Sequence, residues 1–273
     1  LSADLIRVQS LHRSLSPISD IRSFFQLRKI IKTQKPDVVN THTSKAGVLA
    51  RLATKSVNRR TPVVHTFHGH LIYGYFARYK SIVFTLIEKI MSRFTNVAVA
   101  VTAETKNSLT KLGIGRNLPW RVIQIGIPAK VVTQTTAVEQ TFKLLWIGRF
   151  TQIKDPSLAV KVIKNLSNAG QERFKLTMVG EGELYEEVKQ EAKNLPIEFT
   201  GWMTNPFETI SAFDLLLITS KNEGLPLVML EAANFAKPTL SKNVGGISEF
   251  ITDNQTGYLV DGGADDIAQR IVE

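Results

Sequence analysis

Residues 146–155, Trp-Ile-Gly-Arg-Phe-Thr-Gln-Ile-Lys-Asp, set two cations, Arg149 and Lys154, five positions apart behind Gly148. Glycine admits a ligand close to the backbone, arginine supplies a planar fork of donors, and lysine supplies a compact charge. The combination suits a diphosphate whose negative charge grows as it departs. Taken alone, it describes two solvated cations beside a turn equally well. A second run, Glu223-Gly224-Leu225-Pro226-Leu227-Val228-Met229-Leu230-Glu231, holds two carboxylates with seven residues between them. Pro226 suits the first position of a helix, so Glu223 falls in the preceding loop and Glu231 one to two turns inside. Amides at a helix start, here including Leu227 and Val228, form an anion site. A carboxylate in the helix can accept both hydroxyls of a ribose, as acidic residues do in dinucleotide folds. Glu231 can also be read as a carboxylate paired with a surface lysine. Leu230 and Ala232-Ala233 leave it an awkward surface position.

Histidines supply the other chemistry: His42 in Thr41-His-Thr-Ser-Lys-Ala-Gly47, and His65, His68 and His70 in His65-Thr-Phe-His-Gly-His70. At strand ends they can bond sugar hydroxyls or a phosphate. Metal-binding histidine pairs usually stand i, i+4 on a helix with an acidic partner. No acid lies near these in sequence, so sugar binding is the stronger reading and no metal site is expected. Gly180-Glu-Gly-Glu-Leu184 and Val244-Gly-Gly-Ile247 each follow a strand, and tight turns are their ordinary explanation.

The elements that position these residues alternate. Asp20–Thr33 reads as a helix, residues 36–42 as a strand, 45–55 as a helix, 62–67 as a strand, 76–94 as a helix and 96–102 as a strand. A polar stretch, 129–140, reads as a linker between domains at 1–128 and 141–273. A second series follows, with strands at 143–147, 174–179, 197–200, 215–219 and 239–241 and helices at 156–169, 184–194 and from Pro226. The fold class is therefore α/β, two Rossmann-like domains with parallel sheets and a cleft between them. Ligands in such sheets sit beyond the carboxyl ends of the strands, where both acidic and basic candidates fall.

Composition sharpens the division. Residues 1–128 carry 20 Lys and Arg against 5 Asp and Glu, a balance of +15, whereas residues 129–273 carry 14 against 19, a balance of −5. A basic face seeks phosphates of nucleic acid, anionic lipid or a phosphorylated substrate. There are no cysteines, so disulfides and thiolate metal sites are excluded. No apolar run reaches the roughly 18–20 residues of a membrane-spanning helix. The segment Tyr73-Gly-Tyr-Phe-Ala-Arg-Tyr-Lys80 interleaves aromatics with cations, as an interfacial segment does. Tyr73, Tyr75, Phe76 and Tyr79 can instead line an acceptor groove, and Ile82, Val83, Leu86, Ile87 and Ile90 read as core positions.

In order and spacing, Gly148-Arg149…Lys154, Gly180-Glu-Gly, Glu223-Gly-Leu-Pro…Glu231 and Gly245-Gly-Ile…Glu249 resemble the retaining, GT-B-fold glycosyltransferases of family 4. Pro36-Asp37…His42-Thr-Ser-Lys-Ala-Gly47 and His65-Thr-Phe-His-Gly69 are similar to bacterial members that build capsule, O-antigen or exopolysaccharide chains. The resemblance implies that Arg149 and Lys154 neutralise the donor diphosphate, that Glu223 touches donor-sugar hydroxyls, and that amides from Gly224 through Leu225 and Leu227 to Val228 line sugar and phosphate. It implies that Glu231 holds the ribose and that His68, at the edge of the cleft, meets the donor sugar near the reacting carbon. It further implies a nucleotide-sugar donor, UDP by family expectation, a lipid-linked or saccharide acceptor, no metal cofactor, and retention by front-face attack without a carboxylate nucleophile. Contact with an anionic membrane at the inner face of the cell membrane is expected from the basic half.

The family's first strand and its glycine-rich loop are expected ahead of Leu1 and a crossing helix beyond Glu273, so the chain reads as part of a longer protein. Gly126-Ile-Pro128 stands where the family has Asn-Gly. Two competing readings remain. A nucleotide-sugar 2-epimerase of the same architecture needs carboxylates in the cleft, and the first half offers only Asp4, Asp20, Asp37, Glu88 and Glu104. A nucleic-acid module would use the basic half, but no stacking-aromatic signature or recognition helix is visible.

Overall fold

In the computed structural model, every pairing between named strands among the described residues is parallel. The structure describes residues 4–12, 14, 16–69, 78–129, 140–204 and 207–273. The chain divides into two units, with the boundary between Gln124 and Ile125. That boundary lies ahead of the linker read from sequence, most of which falls outside the described residues, as do His70 and residues 73–77 of the aromatic-basic segment.

The first unit contains α1 (Pro17–Gln34), β1 (Val39–His42), α2 (Ser44–Val57), β2 (Val63–Phe67), α3 (Arg78–Met91), β3 (Val97–Ala100), α4 (Ala103–Lys111) and β4 (Trp120–Val122). Its strands lie in chain order, β1-β2-β3-β4. Such parallel neighbours need a crossover each time, and the helices supply them. Pro17 opens α1, Lys35 closes it in the left-handed region, and Thr102 caps α4 by accepting the Thr105 N–H at 3.1 Å. A buried ion pair ties α2 to α3. Arg51 donates to both oxygens of Glu88, at 3.0 and 2.8 Å, and to the Gly47 carbonyl at 3.0 Å.

The apolar face of α3 differs from its reading as core. Of the positions read as core, Ile82, Val83, Leu86 and Ile90 each have more than half of their surface exposed, and Ile87 is half-buried; Tyr79, read as a groove position, is exposed as well. The helical spacing is correct, but Glu88 takes the inward face to meet Arg51 and leaves the aliphatic stripe outside. On α1, Ile21 and Phe25 are likewise exposed while Ile31 is buried.

The second unit contains β5 (Phe142–Ile147), α5 (Pro156–Asn168), β6 (Phe174–Val179), α6 (Tyr185–Glu191), β7 (Ile197–Gly201), α7 (Phe207–Ser211), β8 (Leu215–Ile218), α8 (Leu227–Asn234), β9 (Thr239–Lys242), β10 (Tyr258–Val260) and α9 (Ala264–Val272). The sheet order is β10-β9-β8-β5-β6-β7. The chain winds outward from β5 through β6 to β7, then returns to start again at β8. This is the Rossmann order, and its switch point lies between β5 and β8. Leu144, Trp146, Leu176, Met178, Leu215 and Leu217 fill the core beneath it, all buried. Uniformly apolar runs such as Leu-Leu-Leu-Ile in β8 follow from burial on both faces of the sheet.

Candidate functional site

At the switch point the loops after β5 and β8 meet. Lys154, from the first, forms an ion pair with Glu223, from the second. The Ser220 hydroxyl donates to the same carboxylate oxygen at 2.5 Å. The Glu223 side chain is only 8% exposed and that of Lys154 22%, so the pair is shielded from water yet open on one side. Trp146, Ile147, Pro226 and Val228 line the small pocket that surrounds it.

Backbone and buried side chains hold the two loops together. Thr219, at the end of β8, accepts the Trp146 indole N–H at 3.0 Å and turns its own hydroxyl toward the carbonyls of Lys154 and Asp155, at 3.0 and 2.8 Å. Lys221 donates its N–H to the Ile153 carbonyl at 2.8 Å. Asp155 then starts α5 from the left-handed region, φ 48°, a costly conformation for a residue with a side chain. Sequence reasoning did not pick out Ser220 or Thr219. Their only signal is position, at the end of an apolar strand.

Glycines bring two further loops onto this one. Gly180 has φ +131°, and a Cβ there would collide with the carbonyl of Gly148. Gly245 has φ +58°, and a Cβ there would collide with the carbonyl of Glu223, which accepts the Gly246 N–H at 3.1 Å. The two glycine turns are therefore close-approach positions against the candidate loops.

Of the remaining candidates, Gly148 ends β5 and donates to the Val179 carbonyl at 3.0 Å. Arg149 is half-buried, and no ion pair joins it to a described residue. The Thr151 hydroxyl between the two cations is buried with no described partner. Gly224 and buried Leu225 lead to Pro226, which is the N-cap of α8 in extended conformation rather than its first helical residue. Leu227 and Val228 are thus the first two helical residues, and their amides have no acceptor within the helix. Glu231 stands one turn further along α8, half-buried.

In the first unit, β1 and β2 bring the histidines together at their carboxyl ends. His42 Nδ1 lies 2.8 Å from His68 Nε2, both rings at the surface. His65 is buried and bonds the Thr41 hydroxyl through Nδ1 at 2.8 Å. Gly47 permits this, since a Cβ there would stand 2.5 Å from His65 Cε1. Burial, then the charge of Arg51 and the neighbouring His42 and His68, pushes the His65 pKa down to about 3. Burial, and secondarily His42, also lowers His68. Among the described residues no group of three or more His, Asp or Glu gathers as a metal site.

The model of the family described as Glycosyl transferases group 1 matches residues 130–273, and that of Glycosyltransferase Family 4 matches residues 4–130. The O-antigen biosynthesis glycosyltransferase WbnH of Escherichia coli is 31% identical over 92% of this chain and 71% of its own length. The UDP-Gal:alpha-D-GlcNAc-diphosphoundecaprenol alpha-1,3-galactosyltransferase of Escherichia coli is 26% identical over 93% of this chain and 70% of its own. The crystal structure of HepE from Anabaena in complex with UDP and glucose shares the fold with a TM-score of 0.76 at 19% identity, covering 95% of this chain and 73% of that one. The chain belongs to the group 1 and family 4 glycosyltransferases, and is a glycosyltransferase built on the GT-B fold.

Proposed function

We propose that this glycosyltransferase moves a sugar from a UDP-sugar to a lipid-diphosphate-linked saccharide at a membrane surface during surface polysaccharide synthesis, with retention at the anomeric carbon. The observation that carries the donor half is the Lys154–Glu223 pair at the switch point, with the α8 start beside it. Lys154 and Arg149 neutralise the diphosphate as it leaves, and the amides of Leu227 and Val228 add donors at the developing charge. Glu223 accepts hydroxyls of the donor sugar, Glu231 holds the ribose, and His68 contacts the donor sugar. Positive charge from Arg149 and Lys154, with the start of α8, takes the place of a divalent ion in this reading. The similar galactosyltransferase, named for a UDP-Gal donor and a diphosphoundecaprenol-linked acceptor, supports both substrate classes.

The exposed stripe of α3 supports the membrane half. An aliphatic face flanked by Lys80 and Lys89, in a half of the chain with a balance of +15, suits insertion at an anionic lipid surface. No helix among the described residues is long and apolar enough to cross a membrane.

The test is UDP release by the purified protein from UDP-glucose, UDP-galactose and their N-acetyl forms, with an undecaprenyl-diphosphate-linked GlcNAc acceptor and with EDTA present. Turnover of at least one donor, with an equatorial anomeric proton in the product, as in the α-linked donor, is the expected result. No turnover of any UDP-sugar, or turnover only with a divalent ion, overturns it. Flotation with phosphatidylglycerol vesicles, absent with phosphatidylcholine alone, tests the membrane part.

A further inference from the structure

The hydrogen bond between the side chains of His42 and His68 is not accounted for by the roles above. His42 closes β1, opposite Thr66 of β2, and His68 follows β2 directly, so the parallel register puts the two rings side by side. Their centroids are 5.1 Å apart with a tilt of 31°, and Nδ1 of His42 faces Nε2 of His68 at 2.8 Å.

Such a bond needs one ring N–H and one bare ring nitrogen. Between two neutral rings, two arrangements satisfy it. In one, His68 Nε2–H donates to a bare His42 Nδ1, and both rings hold their proton on Nε2, the tautomer that neutral imidazole side chains favour. In the other, His42 Nδ1–H donates to a bare His68 Nε2, and both rings must adopt the disfavoured tautomer. The first is therefore selected, since each ring supports the other's choice. It leaves Nδ1 of His68 unprotonated, and among the described residues only His42 bonds this ring.

We propose that His42 is a positioning residue: it locks the His68 ring in one orientation and as the Nε2–H tautomer, so that the bare Nδ1 accepts a hydrogen bond from a hydroxyl of the donor sugar. The inference rests on the reading of His68 as the residue that meets that sugar. It specifies what the reading alone does not, namely that the ligand group is a hydroxyl donor rather than an ether or carboxylate oxygen.

The chain has five histidines, so a long-range 1H–15N spectrum of the labelled full chain resolves each ring. His68 is expected to show Nδ1 in the bare-nitrogen range and Nε2 in the N–H range. His42→Asn keeps a carbonyl oxygen at the acceptor position and is expected to preserve that pattern, whereas His42→Ala averages the two nitrogens. In UDP release from the four UDP-sugars, His42→Ala is expected to lower kcat roughly 10- to 100-fold through misplacement of one contact, while His42→Asn retains most of it. The double variant with His68→Ala should be no worse than His68→Ala alone, and the affinity for UDP should not change in any variant. A proton on His68 Nδ1 in the wild type, or a His42→Ala variant with unchanged His68 shifts and unchanged kcat, overturns the positioning role alone. A fully active His68→Ala variant instead overturns the reading of His68 on which it rests.

Discussion

Lys154 and Glu223 are 69 residues apart in the chain, yet their charged ends meet at the switch point of the second sheet, with the Ser220 hydroxyl on the same oxygen. A carboxylate this shielded is held where two loops converge, and the lysine is fixed before any ligand arrives. Preorganised charge is what stabilises a departing diphosphate, because little reorganisation is then needed at the moment of reaction.

Lys154→Ala is expected to lower kcat/KM by about 10²- to 10³-fold, the loss typical for one preorganised donor. Arg149→Lys, which keeps the charge but removes the fork, should cost less in rate yet weaken UDP binding measurably by calorimetry. Since no ion pair joins Arg149 to a described residue, its replacement should change stability by no more than about 0.5 kcal/mol in urea denaturation. A large loss of stability would show that Arg149 is structural.

Gly245→Ala places a Cβ against the Glu223 carbonyl at a backbone φ of +58°. The substitution should destabilise the second unit by about 1–3 kcal/mol and lower activity with it, through displacement of the Glu223 loop. Gly170 also has positive φ, +71°, but nothing lies within 4 Å of its Cβ position, so Gly170→Ala is the control. It should cost stability without a comparable loss of UDP-sugar turnover.

The Arg51–Glu88 pair is buried on both sides, and burial raises the Glu88 carboxyl above its ordinary value while Arg51 pulls the other way. Removing one partner, as in Arg51→Met, should cost about 3–5 kcal/mol because it strands a charge in the core. The double variant Arg51→Met with Glu88→Leu should recover most of that loss. Chemical denaturation of the single and double variants measures both.

His65 stays neutral in the folded chain down to about pH 3, whereas in the unfolded chain it takes up a proton below about pH 6.5. Between those values the unfolded state binds more protons, so stability falls as the pH drops through this window. The slope attributable to His65 approaches about 1.4 kcal/mol per pH unit well below pH 6.5. The difference between wild type and His65→Gln, followed by denaturation between pH 7 and pH 4, isolates it from the opposing titration of Glu88. A difference that does not change with pH would mean that His65 is protonated in the native state.

Alternating helix and strand periods in residues 143–241 were enough to specify parallel strands joined by helices, because burial on both faces writes runs such as Leu215–Ile218 directly into composition. The spacings Gly148-Arg149…Lys154 and Glu223…Glu231 were likewise legible, as each lies within one loop or one loop and helix. Strands of three residues, β4 and β10, carry no readable period, and the inward turn of Glu88 that exposes the α3 stripe depends on Arg51, 37 residues away. Only the tertiary structure decided that Lys154 meets Glu223, that Gly245 lies on the Glu223 backbone, and that His42 bonds His68. Local pattern records which face of an element is buried. Which loops share a strand end is fixed by sheet order, and that order is a property of the whole packed domain.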